Sequence, residues 1–145
     1  MCLKNSIRMA TNKDIVCYKV LKRRNGKLFS PFHQYLWTLN EVHETPTSCP
    51  QVIIDEVWGR AFHTISRLED ARKYKRKLEV LPLISFLETN TSDFDFVICE
   101  CTIPKDSKFI YEGTTNFYSM EDDKTVDAYS FASQSLKINK IIVEE

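Results

Sequence analysis

The sequence predicts a single α+β domain, with a mainly antiparallel β-sheet of six to eight strands and one main helix at about residues 66–79. Several short runs of β-branched and aromatic residues are separated by turn signals, which is typical of antiparallel strands. One segment has the 3.6-residue periodicity of an amphipathic helix. A length of 145 residues is the usual size of one domain, so residues 1–145 are expected to form one unit.

The first predicted strands form a hairpin. Residues 14–21 (DIVCYKVL) are rich in strand-forming residues, and Asn25-Gly26 follows them closely. Asn-Gly is a strong hairpin signal because both residues tolerate a positive φ. The second strand of the hairpin is predicted at residues 27–30. Further strands are predicted at residues 34–42, where Tyr35, Trp37 and Leu39 alternate, and at residues 51–58.

The helix prediction depends on a start signal and an apolar stripe. Ser66 and Glu69 have the S-x-x-E spacing of a capping box, in which each side chain accepts a hydrogen bond from the other residue's backbone N–H. The apolar residues behind it fall within an arc of about 120° on a helix. They are Leu68, Ala71, Tyr74 and Leu78.

Further strands are predicted in the second half of the chain. Residues 94–103 (FDFVICECTI) are the strongest candidate, and residues 108–113 and 135–145 are two others. Residues 121–124 (EDDK) predict a solvated turn, and residues 81–88 fit a strand or a short helix. We expect residues 1–12 to be a flexible leader, with Met9 as an alternative start to Met1.

Composition excludes several classes of protein. Hydrophobic residues make up 43% of the chain, which is enough for a folded core. No run approaches the ~18–20 apolar residues of a membrane span, and no signal peptide is evident, so a cytoplasmic protein is expected. The three glycines argue against a phosphate-binding loop. The five cysteines form no C-x-x-C pair and are expected to be reduced thiols.

The charges are segregated along the chain. Residues 1–87 contain 15 Lys/Arg against 8 Asp/Glu, whereas residues 88–127 contain 3 against 10. Such a chain could present a basic face to an anion. The interpretation that we favour is that the two halves neutralise each other in the fold.

Five residues form a candidate ligand site. If neighbouring strands pair, aromatic rings could stack on a base or a sugar while an arginine meets a phosphate. The alternative is that the alternating aromatic residues are core. The candidates are Tyr35, Trp37, Trp58, Arg60 and His63.

No catalytic residue, metal or cofactor is assigned. His63 has a side chain suited to proton transfer near neutral pH, but the sequence places no partner beside it. Glu69 is close in sequence, yet the capping box already uses it. The spacing of His33, His43, Cys49 and His63 matches no zinc site.

A basic surface is predicted on the helix. Several Lys/Arg on one surface are what phosphate binding needs, so nucleic-acid binding is an alternative function. Solvated charge on the outer side of a helix is the simpler interpretation. The residues are Arg72, Lys73, Arg76 and Lys77.

Three segments carry a resemblance to known proteins. They are residues 59–74 (GRAFHTISRLEDARKY), 97–113 (VICECTIPKDSKFIYEG) and 130–142 (SFASQSLKINKII). In this order they resemble small proteins of bacteriophages and bacterial mobile elements that have a Gly-Phe-His-like turn and a helix opening with EDA. The chain also resembles the ADP-ribosyltransferase fold, which would imply NAD as the substrate. The residues implied by that likeness are Arg60, Glu112, Ser130 and Ser133.

These observations favour a non-enzymatic binding protein of phage or mobile-element type. It would sequester or block a host protein or a small anionic, nucleotide-like ligand. The alternatives are a small ADP-ribosyltransferase-like enzyme that uses NAD and a nucleic-acid-binding protein. The sequence does not determine the oligomeric state.

Overall fold

The computed structural model describes residues 4–8, 12–31, 35–45, 61–84, 94–107, 110–119 and 121–143, with the backbone alone for residues 4–8 and 81–84. These ranges contain ten strands and one helix. They are β1 (Lys4–Arg8), β2 (Ile15–Arg24), β3 (Lys27–Phe29), β4 (Leu36–Trp37), β5 (Val42–Glu44), β6 (Phe62–Ile65), α1 (Leu68–Ile84), β7 (Asp95–Ile103), β8 (Ile110–Ser119), β9 (Lys124–Ser133) and β10 (Ser135–Ile142).

The predicted α+β class with a mainly antiparallel sheet and one main helix is confirmed, although the strands outnumber the six to eight predicted. The strand order is β1-β8-β9-β6-β2-β7-β10-β5, and β3 and β4 extend from β2. Every pair of named strands is antiparallel. In the described part of the chain, no helix is both long and apolar enough to cross a membrane.

The predicted hairpin is confirmed at β2 and β3. Asn25 and Gly26 have φ values of 53° and 77°, which are the positive values that a two-residue hairpin turn requires. β7 and β10 also lie where the sequence predicts them, and residues 121–123 form the predicted turn. The predicted strand at residues 51–58 lies outside the described residues.

Four strand predictions need correction. β1 lies within the predicted flexible leader, where it pairs with β8. β6 takes the place of the predicted Gly-Phe-His turn. Where one strand was predicted at residues 34–42, the described residues form β4 and the start of β5, because Asn40 turns the chain with a φ of 63°. β9 was not predicted, since all of its buried positions except Phe131 carry small alanines and serines.

The predicted capping box is wrong. Helix α1 begins at Leu68, and the Arg67 carbonyl accepts its first hydrogen bond. The Ser66 N–H donates to the Tyr129 carbonyl and so extends the pairing of β6 with β9. The Glu69 carboxylate pairs with the Arg67 guanidinium. Strand pairing therefore occupies the backbone group that the capping box would have used.

The helix packs on one face of the sheet through the predicted apolar stripe. Ala71, Tyr74 and Leu78 are buried there against residues from five strands. Burial raises the pKa of the Tyr74 phenol to about 12. The sheet residues in this layer are Val20, Ile65, Ile98, Phe117 and Ala128.

The sheet is strongly curved. Strands β4 and β5 are five positions apart along the path β4-β3-β2-β7-β10-β5. At ~4.8 Å per strand, a flat sheet would separate them by roughly 24 Å. Trp37 and Val42 are joined by a linker that reaches at most about 18 Å when fully extended. The sheet therefore bends, and residues 35–45 cross the face opposite the helix.

A second core layer lies on that opposite face, which we call the concave face. Trp37 belongs to it, so the crossing segment helps to cover it. It also contains the three cysteines that the structure describes, which are all buried and form no disulfide with one another. The buried residues are Cys17, Leu21, Leu28, Trp37, Val97, Cys99, Cys101, Ile103, Ile110, Phe131, Leu136 and Ile138.

Candidate functional site

A lysine lies among the apolar residues of the concave face. Side chains alternate along a strand, so Lys19 of β2 shares its face with Cys17 and Leu21, which are both fully buried. The Lys19 side chain is half-buried overall, and its Nζ is deep enough for desolvation to lower the pKa of the amine. A cationic side chain at a core-facing position is costly unless a partner compensates it.

The contacts of Lys19 are with a carbonyl and a ring. Its Nζ donates a hydrogen bond to the His63 backbone oxygen at 2.7 Å. The same atom lies 5.8 Å from the centroid of the Trp37 ring, which is within cation–π range. None of the ion pairs formed among the described residues involves Lys19.

The neighbouring thiols do not supply a negative charge. Cys99 lies opposite Lys19 on β7, and burial raises the pKa of its thiol to about 12. Burial also raises the pKa of Cys101 well above the ordinary value for a thiol. Both groups are therefore neutral near pH 7, and the described residues leave the Lys19 ammonium without an anionic partner.

A buried hydroxyl belongs to the residue opposite Lys19 in the neighbouring strand. Tyr18 pairs with Ile65 in antiparallel register, so Thr64 falls opposite Lys19 on the neighbouring strand. Thr64 is two residues from Phe62, which packs on the concave face, and therefore points to that face. It is fully buried, and its Oγ1 has no hydrogen-bond partner within the described structure. A buried hydroxyl without a partner costs about 1–3 kcal/mol.

Four aromatic rings form a cluster, and one of them, Trp37, lies beside Lys19. The ring of Trp37 is 4.9 Å from that of Tyr35, 4.7 Å from that of His43 and 4.8 Å from that of Phe62, measured between centroids. Trp37 is 3% exposed, whereas Tyr35 is 39% exposed. Trp37 is thus the inner ring of the group, and Tyr35 presents its ring to solvent.

Hydrogen bonds hold these rings in place. The Thr38 N–H donates to His43 Nε2 at 3.1 Å, so we place the imidazole proton on Nδ1. That nitrogen is 2.9 Å from the Tyr35 hydroxyl. The Trp37 indole N–H donates to the Ser30 hydroxyl at 2.9 Å. The orientations of three rings are therefore fixed by hydrogen bonds within the fold.

We call this group the lysine–aromatic site. Its members come from three segments of the chain that are distant in sequence, namely residue 19, residues 35–43 and residues 62–64. They are Lys19, Tyr35, Trp37, His43, Phe62 and Thr64.

The structure brings together only part of the predicted ligand set. Tyr35 and Trp37 lie in the site, although Trp37 is also core, as the alternative interpretation held. The side chain of His63 points to the helix face, because it alternates with Phe62 on β6. Only its backbone oxygen contributes to the site. Trp58 and Arg60 lie outside the described residues.

Two of the four residues of the predicted basic surface pair with acidic residues. Lys73 Nζ lies 2.9 Å from an Asp122 carboxylate oxygen, and Arg76 pairs with Glu121. Both acidic residues belong to the turn between β8 and β9. These contacts join the basic first part of the chain to its acidic part, as the favoured interpretation of the charge segregation predicts.

The other two basic residues of the helix differ from each other. Lys77 Nζ lies 5.8 Å from the ring centroid of Tyr74 and 6.0 Å from that of Phe117, so it covers the edge of the helix–sheet core. The Arg72 side chain is exposed. The predicted set therefore does not form a row of free cations along the helix.

The Lys73–Asp122 pair predicts a pH effect. A hydrogen bond from Lys73 holds the pKa of the Asp122 carboxyl below its ordinary value of 3.8. The stabilisation by this pair is therefore present above pH 3.8 and is lost as pH falls through the lowered pKa. We expect Lys73→Met to raise the Asp122 pKa in an NMR titration, and Lys75→Met to leave it unchanged. An Asp122 pKa that is the same in Lys73→Met and wild type would contradict the pairing.

The residues implied by the ADP-ribosyltransferase likeness do not converge. Ser130 lies on the helix face, where its hydroxyl is 2.9 Å from that of Thr115. Ser133 lies on the concave face and donates to a backbone carbonyl at 2.9 Å. Glu112 is on that same face. The two serines thus lie on opposite faces, and Arg60 is outside the described residues.

Within the described ranges, no group of three or more His, Cys, Asp or Glu side chains has a geometry suited to a metal ion. Of the four residues whose zinc spacing we tested, His43 and His63 are described. His43 is hydrogen-bonded through both ring nitrogens. His33 and Cys49 lie outside the described residues.

The sequence analysis missed four members of the site. Lys19 carried a usable signal, because it interrupts the alternation Cys17–Leu21 at a position where a core residue is expected. Thr64 and Phe62 carried none, since they lie in a segment predicted to be a turn. His43 was considered only as a zinc ligand, and its place beside Tyr35 depends on the turn at Asn40.

Comparisons with known proteins gave no match. No protein-family model matches the chain. None of the curated proteins or solved structures compared with it is significantly similar.

Proposed function

We propose that the protein binds small anions that carry a planar ring, with a nucleotide as the type, at the lysine–aromatic site. The observation that supports this most is the Lys19 amine, which is desolvated and has no carboxylate partner among the described residues. The protein would act by holding the ligand, without changing it.

An anion would compensate two unfavourable features of this site, the desolvated Lys19 ammonium and the buried Thr64 hydroxyl without a partner. A desolvated ammonium is unfavourable unless a charge or a hydrogen bond opposes it. An anion next to Lys19 would provide that charge and would also accept a hydrogen bond from the Thr64 hydroxyl. A neutral ligand would provide a hydrogen bond to the Thr64 hydroxyl but no charge for Lys19. The two groups together therefore favour an anion.

The aromatic part of the site fits the planar part of such a ligand. Tyr35 is 39% exposed, so one side of its ring is free for stacking on a base. Its hydroxyl contact with His43 and its packing on Trp37 hold the ring in one orientation. Base stacking on an aromatic side chain is worth about 1–3 kcal/mol.

Calorimetric titration with AMP tests this proposal, with adenosine and inorganic phosphate as matched probes. Adenosine has the ring without the charge, and phosphate has the charge without the ring. We expect AMP to bind at least about 10-fold more tightly than either, since the two contacts contribute together. Equal affinity for AMP and adenosine would contradict a role for Lys19, and the absence of AMP binding would overturn the proposal.

Single substitutions test whether AMP binds at the lysine–aromatic site. Lys19→Met is expected to weaken AMP binding by at least about 10-fold, because a charge-assisted hydrogen bond is worth about 1.5–3 kcal/mol. Lys22→Met is the control, since Lys22 is on the same strand but its Nζ lies 4.7 Å from the Phe94 ring centroid, away from the site. Thr64→Val should weaken binding by roughly 3- to 10-fold.

A further variant separates this proposal from nucleic-acid binding. Neutralising the four basic helix residues should leave AMP affinity unchanged, because none of them contributes to the lysine–aromatic site. If AMP affinity falls in that variant and is unchanged in Lys19→Met, the anion site is on the helix and the nucleic-acid alternative is favoured. The four residues are Arg72, Lys73, Arg76 and Lys77.

A further inference from the structure

We propose that Lys19 is also a nucleophilic amine that forms an imine with small planar aldehydes in the lysine–aromatic site. The inference uses the site of the proposed function, but it requires the amine in its neutral form instead of its charged form. It therefore stands or falls separately from anion binding.

The surroundings of Lys19 orient the amine. One N–H is directed at the His63 carbonyl oxygen at 2.7 Å. In the neutral amine, the lone pair then points away from that carbonyl. The ring of Trp37 lies on one side of Nζ, and Phe62 packs against Trp37. A flat carbonyl compound that stacks on this ring cluster from its exposed side, at Tyr35, would direct its carbonyl carbon towards the amine.

The same surroundings favour the neutral amine. Desolvation lowers the pKa of Lys19, whereas an exposed lysine with a pKa near 10.4 has only about 0.04% of its amine neutral at pH 7. Buried Cys99 and Cys101 are poor competitors for the aldehyde, because their raised pKa values keep them as thiols. These two thiols therefore do not compete with the Lys19 amine for the aldehyde.

The reaction needs no oxidant or reductant. The Lys19 lone pair forms a bond to the carbonyl carbon, the C=O π bond breaks, and a proton moves from nitrogen to oxygen to give a carbinolamine. The hydroxyl then leaves as water with a second proton from nitrogen, and a C=N bond forms. The products are one imine and one water. The unpartnered Thr64 hydroxyl is placed to hydrogen-bond the carbinolamine oxygen.

Trapping with salicylaldehyde tests the inference. The full chain is treated at pH 7 with a limiting amount of the aldehyde and cyanoborohydride, which reduces an imine to a stable amine. Peptide mass spectrometry then locates the adduct. We expect labelling of Lys19 to exceed that of every other lysine at least about 10-fold. This preference should shrink as pH rises towards 10, because exposed lysines then lose their protons.

Matched controls separate site chemistry from surface chemistry. Salicyl alcohol, which lacks the carbonyl, should give no adduct. Lys19→Arg should lose the preferred adduct, and Lys22→Arg should retain it. Thr64→Val should slow trapping by roughly 3- to 10-fold, since it removes the hydroxyl while keeping the shape. Labelling of Lys19 no faster than that of the other lysines in the wild-type protein would overturn the inference without any variant.

Protection by AMP distinguishes this inference from the proposed function. An anion stabilises the charged amine, so saturating AMP should slow Lys19 trapping at least about 10-fold if both proposals hold. Preferred trapping that AMP does not affect would support the imine and contradict AMP binding at this site. AMP binding without preferred trapping would overturn the imine and leave the proposed function in place.

Discussion

Lys19→Met is expected to increase the stability of the protein by about 1–2 kcal/mol near pH 7, while AMP binding is lost. The methionine retains the length and apolar contacts of the lysine and needs no hydration. The contacts given up are the hydrogen bond to the His63 carbonyl and the cation–π contact with Trp37. Stability gained together with binding lost is the pattern of a functional residue that is kept at a cost in stability.

The pH dependence of this effect has a defined sign. Desolvation lowers the folded-state pKa of Lys19 below the ordinary value of 10.5. Between these two values the unfolded chain holds more protons, so the stability of the wild-type protein rises with pH in that window. The stability of Lys19→Met should not show this rise with pH. Its advantage over the wild type is therefore largest below the lowered pKa and shrinks as pH rises towards 10.5.

Urea denaturation of both proteins at several pH values between 6 and 10 measures this difference. Lys22→Met is the control, because it removes the same charge from the other face of β2 and should show no comparable pH-dependent gain. A Lys19→Met protein that is less stable than the wild type at every pH would show that Lys19 stabilises the core, and would remove the main support for the anion site.

Trp37→Ala should have the largest effect on stability of any change in the site, a loss of about 3–5 kcal/mol. Trp37 is 3% exposed and packs against three rings. It is also the point where the crossing segment meets the concave face, so its removal leaves a cavity beneath that segment. Such a loss is a large part of the total stability of a domain of this size.

Thermal and urea unfolding measure the loss, with two matched variants. Trp37→Phe keeps a ring and should cost clearly less than the alanine. Leu36→Ala changes the neighbouring residue, which is 48% exposed, and should change stability by no more than about 0.5 kcal/mol. Equal effects of Trp37→Ala and Leu36→Ala would contradict the placement of Trp37 in the core.

Secondary-structure elements that depend on residues close together in sequence were predictable. Asn25-Gly26 identifies the first hairpin because positive φ is a property of those two residues. The stripe that contains Ala71 and Leu78 identifies the helix, although strand pairing moved its start from Ser66 to Leu68. β9 was missed because alternation is recognised from large apolar residues, and this strand buries alanines and serines with Phe131 as its one large apolar side chain.

The candidate site was predictable only in part. Tyr35 and Trp37 were identified because they alternate on one short segment. Their relation to Lys19 and Phe62 depends on the curvature of the sheet, which arises from pairings between residues far apart in sequence. The predicted capping box paired the Glu69 carboxylate with the Ser66 N–H. In the folded chain this carboxylate pairs with the Arg67 guanidinium instead.

The amino-acid sequence was sufficient for the α+β class, the helix, the first hairpin and the strands at β7 and β10, because periodicity and turn chemistry act over a few residues. The folded structure alone decides that Lys19 loses water and meets no carboxylate among the described residues, that Thr64 is buried opposite it, and that two of the four basic helix residues pair with acidic side chains. Desolvation and charge pairing depend on distances across the sheet, and these are set only when distant strands pair.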